Sequence, residues 1–159
     1  MKEISVEELK INPSTLIGKE WALLTAGNKD GYNTMTVSWG QMGDLWNKPT
    51  TVVYIRPQRY TKEFVDKSDY YTLSFLPDGH REALSYLGSH SGRDEDKLAK
   101  TDLTGTAPDD YAYRAGKACA CLQEAVQTAY DARFFYRQVA YRKVLCRRRF
   151  PRDVCRRDS

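Results

Sequence analysis

The sequence predicts a mainly β fold with small helices, a strand-rich barrel of the α+β class, on three observations. Short runs of β-branched and aromatic residues recur, Thr50-Thr51-Val52-Val53-Tyr54-Ile55 and Tyr70-Tyr71-Thr72-Leu73-Ser74-Phe75 being the plainest. Turn chemistry such as Asn28-Lys29-Asp30-Gly31 divides neighbouring runs. Helical patterns are brief and do not alternate regularly with strands, which argues against a doubly wound sheet.

The elements follow in order. Val6-Glu7-Glu8-Leu9 reads as a helical turn ended by Asn12-Pro13. Glu20 to Gly27 is a strand, Asn28 to Gly31 a hairpin turn, and Asn33 to Trp39 alternates as a second strand. Met42 to Pro49 is a loop carrying Trp46, and Thr50 to Ile55 is the third strand. Thr61 to Lys67 is a short helix with Thr61 as N-cap and Phe64-Val65 facing inward. Tyr70 to Phe75 is a fourth strand, Gly79 to Leu87 a helix, and Asp94 to Lys100 a further helix with acidic residues in its first turn.

Bulk properties bound the rest. A length of 159 residues suits one domain with a respectable core. Met1-Lys2-Glu3-Ile4-Ser5 leads into a charged segment and no run reaches a membrane span, so a soluble cytoplasmic protein is expected. The net charge of +4 hides a division: residues 114–159 hold 12 Lys+Arg and 4 Asp+Glu, a net of +8, whereas 1–113 net −4. All four cysteines (Cys119, Cys121, Cys146, Cys155) lie in the basic part. His80 and His90 have no partner at ligand spacing, and the consecutive carboxylates Asp94, Glu95 and Asp96 do not converge, so no metal site is expected. There is no Walker-type loop and no Gly-x-Ser-x-Gly elbow.

The chemistry concentrates where the third strand meets the short helix. Arg56-Pro57-Gln58-Arg59-Tyr60-Thr61 sets two guanidiniums and two hydroxyls at a helix N-terminus, whose free N–H groups and partial positive charge attract anions. That arrangement suits a phosphate; the bland alternative is a capped surface turn with solvated arginines.

Two further blocks flank this joint: Tyr32-Asn33-Thr34-Met35-Thr36-Val37-Ser38-Trp39-Gly40, and Gly88-Ser89-His90-Ser91-Gly92-Arg93-Asp94-Glu95-Asp96-Lys97. In order and spacing the three blocks resemble the flavin reductase-like family, the FMN-binding split β-barrel proteins, from about Asn12 to Thr104. The resemblance implies FMN in a groove at a homodimer interface, reduced by NADH or NADPH. It would place Asn33, Thr34, Met35 and Thr36 beside the isoalloxazine, with Ser38 and Trp39 continuing the wall. Arg56, Arg59, Tyr60 and Thr61 would hold the phosphate, with Gln58 also among the cofactor-binding residues, and Ser91, Gly92, Arg93 and Lys97 would cap the flavin or meet the second subunit. It implies no catalytic acid or base, since the flavin carries the chemistry. A non-enzymatic FMN electron carrier fits the same residues.

The resemblance divides the chain into a split-barrel domain, 1–113, and a basic tail, 114–159. Beyond Tyr113 neither period two nor period 3.6 is sustained, and Arg147-Arg148-Arg149-Phe150-Pro151-Arg152 is a basic run. Back-translated and read from the second nucleotide, the tail yields an open string with strand, capped-helix and strand patterns, similar to the C-terminal third of the same family. The expectation is a one-nucleotide frameshift near Tyr113 that disrupts the closing strands. Taken at face value instead, a +8 extension suits nucleic acid or another polyanion, although no recognition motif is present.

Overall fold

The computed structural model describes residues 2–4, 9–45, 47–68, 70–103, 119–128 and 135–146. Its strands are β1 (Lys2–Ile4), β2 (Ala22–Asn28), β3 (Gly31–Val37), β4 (Gly40–Leu45), β5 (Lys48–Ile55), β6 (Tyr70–Phe75), β7 (Cys119–Thr128) and β8 (Phe135–Cys146). The helices are α1 (Pro13–Thr15), continued by a π turn over Leu16–Glu20, then α2 (Tyr60–Lys67) and α3 (Arg81–Ser89). Among the described residues the strands form one antiparallel sheet ordered β3-β2-β6-β7-β8-β5-β4, with β1 against β8.

Alternation sets both faces of the sheet. Ala22, Leu24 and Ala26 of β2 join Met35 and Val37 of β3, Val53 and Ile55 of β5, and Tyr71, Leu73 and Phe75 of β6 in a single buried cluster. Strands β2 and β5 stand far apart in the sheet order yet share that cluster, so the sheet curls around its own core. Leu16 and Ile17 of the π turn and Val65 of α2 close it off. Leu23, one residue out of phase, points to the other face, where Ala83, Leu84 and Leu87 of α3 cover it with Leu76 and Leu103.

The β2–β3 hairpin forms as the sequence requires. The Asn28 side-chain oxygen accepts from the Asp30 N–H at 3.0 Å and the Gly31 N–H at 3.3 Å. Gly27 has φ +120°, and a Cβ there would meet the Gly31 carbonyl oxygen at 2.3 Å, so only glycine fits.

Four local expectations give way. Asn12-Pro13 opens a helix instead of ending one: Asn12 accepts from the Ser14 and Thr15 N–H groups, and proline needs no partner at the first helical position. The stretch expected as a loop over 42–49 is largely the β4–β5 hairpin, pairing Gly40↔Val53 through Leu45↔Lys48; Trp46 lies outside the described residues. Thr61 is the second residue of α2, and the extended residue before that helix is Arg59. Residues 94–100 form successive turns, because local side-chain bonds such as Asp96 accepting from the Ala99 N–H replace the helical ladder. The turn expected over Val6 to Leu9 falls mostly outside the described residues.

No strand period is legible past Tyr113, yet the backbone of β7 pairs with β6 and that of β8 with β5, joining the two halves of the sheet. The β7–β8 ladder carries an irregularity between Leu122 and Gln123.

Candidate functional site

β5 ends at Ile55, and the chain turns through Arg56, Pro57 and Gln58, with the Arg59 N–H bonded to the Arg56 carbonyl at 3.0 Å. No side chain caps α2, so its first turn keeps N–H groups for an outside acceptor. Opposite stands the end of α3. Between them lies a cavity of about 370 Å³ lined by Arg56, Gln58, Arg59, Tyr60, Gly88, Ser89, His90 and Ser91. Arg59 is half-buried, and burial first, then the charge of Arg56, holds its guanidinium below the usual arginine value. Two cations pressed together at an uncapped helix start are most readily relieved by an anion. The donor set fits a phosphate monoester, offering fork-shaped guanidiniums, hydroxyls and helix amides.

The cavity wall is held by a buried link between three elements. Asn33 of β3 donates from Nδ2 to Thr61 Oγ1 at 2.8 Å. Its Oδ1 lies where a Cβ on Gly92 would sit, 2.3 Å away, so the Ser91–Gly92 turn packs directly on the amide. On the other side, Thr36 Oγ1 donates to the Leu84 carbonyl at 2.6 Å, and a Gly88 Cβ would meet Thr36 Cβ at 3.3 Å. Strand β3 thus holds both the start of α2 and the end of α3.

Several predicted residues have other work. Thr61 accepts from Asn33 and is 1 % exposed, facing away from solvent. Thr34 pairs with Thr25 at 3.0 Å and donates to the Leu24 carbonyl at 3.2 Å, while Met35 is in the core. The hydroxyls of Thr34 and Thr36, expected along a flavin edge, are engaged inside the protein. Arg93 does not reach into the cavity: it ion-pairs with Glu63, approaches the Gln58 carbonyl at 3.4 Å, and lies 4.7 Å above the Tyr60 ring. Ser38 is half-buried and Trp39 is 57 % exposed, the exposed large hydrophobic residue among those described. Lys97 is buried and donates to the Leu87 and His90 carbonyls.

Of the residues singled out in the sequence, the structure lines one cavity with Arg56, Gln58, Arg59, Tyr60 and Ser91, and adds Gly88, Ser89 and His90. These three directly precede Ser91, and their glycine and hydroxyl chemistry was the signal available for them. His90 stacks on Tyr86 with ring centres 3.8 Å apart, and Tyr86 donates to Glu95 at 2.8 Å, a bond that raises its pKa. No group of metal ligands occurs among the described residues, and no described helix is long and apolar enough to cross a membrane.

The family model described as flavin reductase like domain matches residues 16–136. No curated protein matches the chain. Among solved structures, flavoredoxin from Methanosarcina acetivorans is similar with a TM-score of 0.68 at 18% identity, over 93% of this chain and 77% of that one. An FMN-binding protein from Thermus thermophilus with bound 1-cyclohex-2-enone gives 0.63 at 21% identity, over 79% and 68%. The styrene monooxygenase flavin reductase from Pseudomonas putida S12 gives 0.60 at 16% identity, over 81% and 80%. At these identities the likeness is one of fold, the split barrel predicted from the sequence.

Proposed function

The chain belongs to the flavin reductase like domain family, and from that premise we propose that it is an FMN-binding oxidoreductase of the flavin reductase type. NADH or NADPH is the proposed reductant, and a homodimer the proposed working form. The observation that carries this reading is the cavity at the uncapped start of α2, with Arg56 and Arg59 on its rim.

The chain's own part is binding and orientation. Arg56 and Arg59 would neutralise a phosphate of roughly −1.5 to −2 charge, with α2 amides and the Tyr60 and Ser91 hydroxyls completing its hydrogen bonds, whereas the Ser89 hydroxyl is spent on the Ser85 carbonyl. Gly92 against Asn33 keeps the Ser91 turn close to α2. Trp39 would offer an apolar ring to the isoalloxazine or to the second subunit. When bound, FMN supplies hydride acceptance and onward electron transfer, so no protein acid or base is required.

Desalting after FMN reconstitution, followed by a visible spectrum, tests binding: a retained flavin band supports the proposal and a colourless protein refutes it. Steady nicotinamide oxidation with added free flavin then separates a reductase from an electron carrier, which would stop after reducing its own cofactor.

A further inference from the structure

Lys97 is 4 % exposed, and its ammonium donates to the Leu87 carbonyl at 3.1 Å and the His90 carbonyl at 3.2 Å. Those two carbonyls bracket Gly88 and Ser89, so one side chain sets the run that walls the cavity opposite α2. No carboxylate bonds this ammonium among the described residues, and a buried charge without a bonded counter-ion is costly. A neutral side chain could pack there more cheaply, so the charge itself calls for an explanation.

We propose that Lys97 is a positioning residue for the anion: it fixes the Gly88–His90 wall and adds a buried positive charge that a phosphate in the cavity compensates. The inference rests on reading the cavity as a phosphate site. The groups around Lys97 are Arg59 from the start of α2, which opposes its charge, and Glu95 from its own turn, which favours it; Tyr86 of α3 bonds that Glu95, and His90 stacks on Tyr86. Burial, then Arg59, lowers the Lys97 pKa to about 8. The charge is therefore lost near pH 8 in the free protein, and an anion that favours it must bind more weakly above that pH, by up to about tenfold per unit. A phosphate monoester has completed its second ionisation by then (pKa₂ about 6), so the fall belongs to the protein.

The test is equilibrium titration with inorganic phosphate and with FMN at pH 7.5, 8.5 and 9.5, on the wild type, Lys97→Met and Lys97→Arg. The wild-type profile needs no variant and so does not depend on any variant folding. Affinity for both probes should fall across the series. Lys97→Met should bind about tenfold more weakly at pH 7.5 with a flat profile, and Lys97→Arg, which keeps its charge, should bind well at all three. If FMN binds but the wild-type profile is flat, or Lys97→Met keeps the wild-type profile, the role of Lys97 is refuted while the flavin reading stands. If phosphate follows the expected pattern and FMN does not bind, Lys97 keeps its role and the flavin reading fails. If neither probe binds, both fail.

Discussion

Replacing Gly92 by alanine should break the buried link at the centre of the site, and the size of the effect follows from the geometry. The new Cβ would lie 2.3 Å from Asn33 Oδ1, 3.1 Å from its Cγ and 3.4 Å from its Nδ2. Asn33 cannot swing away cheaply, because it is 8 % exposed and its amide donates to Thr61 Oγ1 at 2.8 Å. Either the Ser91–Gly92 turn moves off β3 or the Asn33–Thr61 bond is lost inside the protein. A buried polar group left unsatisfied costs about 1–3 kcal/mol. For a chain of this length, a loss of about 2 kcal/mol lowers the midpoint of thermal unfolding by roughly 4–8 °C. The assay is a double-mutant cycle with Asn33→Ala, followed by urea unfolding. Asn33→Ala removes the clashing atoms, so Gly92→Ala added to it should cost almost nothing further. Simple additivity of the two losses would refute the contact as the reason for glycine at this position.

Other expectations follow from the same structure. Arg93→Ala should change stability by less than about 1 kcal/mol, because its pair with Glu63 is half exposed, and FMN affinity should fall far less than on loss of Arg59; equal losses would put Arg93 on the ligand. In the ligand-free chain Lys97 sheds its proton near pH 8, whereas in the unfolded chain it does so near 10.5. The unfolded state then holds more protons between those values, so stability should rise from pH 8 toward 10 before the raised pKa of Tyr86 opposes it. Urea midpoints across that range check the sign, and Lys97→Met should flatten the rise. We also propose that residues 114–159 are read one nucleotide out of frame. The gene sequence across the Tyr113 codon should show an insertion or deletion relative to close relatives, and an intact frame there would end the proposal.

Much of the fold was legible because local pattern and tertiary demand agree. Thr50 to Ile55 and Tyr70 to Phe75 alternate around a shared core, and the Asn28–Gly31 turn is fixed by its own side chain. β4 escaped notice because Gly40, Gln41, Gly43 and Asp44 give an outer strand with little apolar signal. Thr61 looked like a cap because its real partner, Asn33, is 28 residues away in sequence and only folding brings them together. The acidic run at 94–96 suggested a helix, but Lys97 is drawn inward to the Leu87 and His90 carbonyls. The arginines of the cavity were found from sequence because anion chemistry at a helix start is local. Of its opposite wall only Ser91 was singled out, because Gly88, Ser89 and His90 become a wall only when α3 packs on β3.

The most direct test of the central claim is fluorescence titration of the wild type and Arg59→Ala with FMN and with riboflavin, which lacks the phosphate. A phosphate held by Arg56, Arg59 and the start of α2 predicts that the wild type binds FMN at least about a hundredfold tighter than riboflavin, and that Arg59→Ala loses most of that preference. Equal affinity of the wild type for the two flavins would contradict the account.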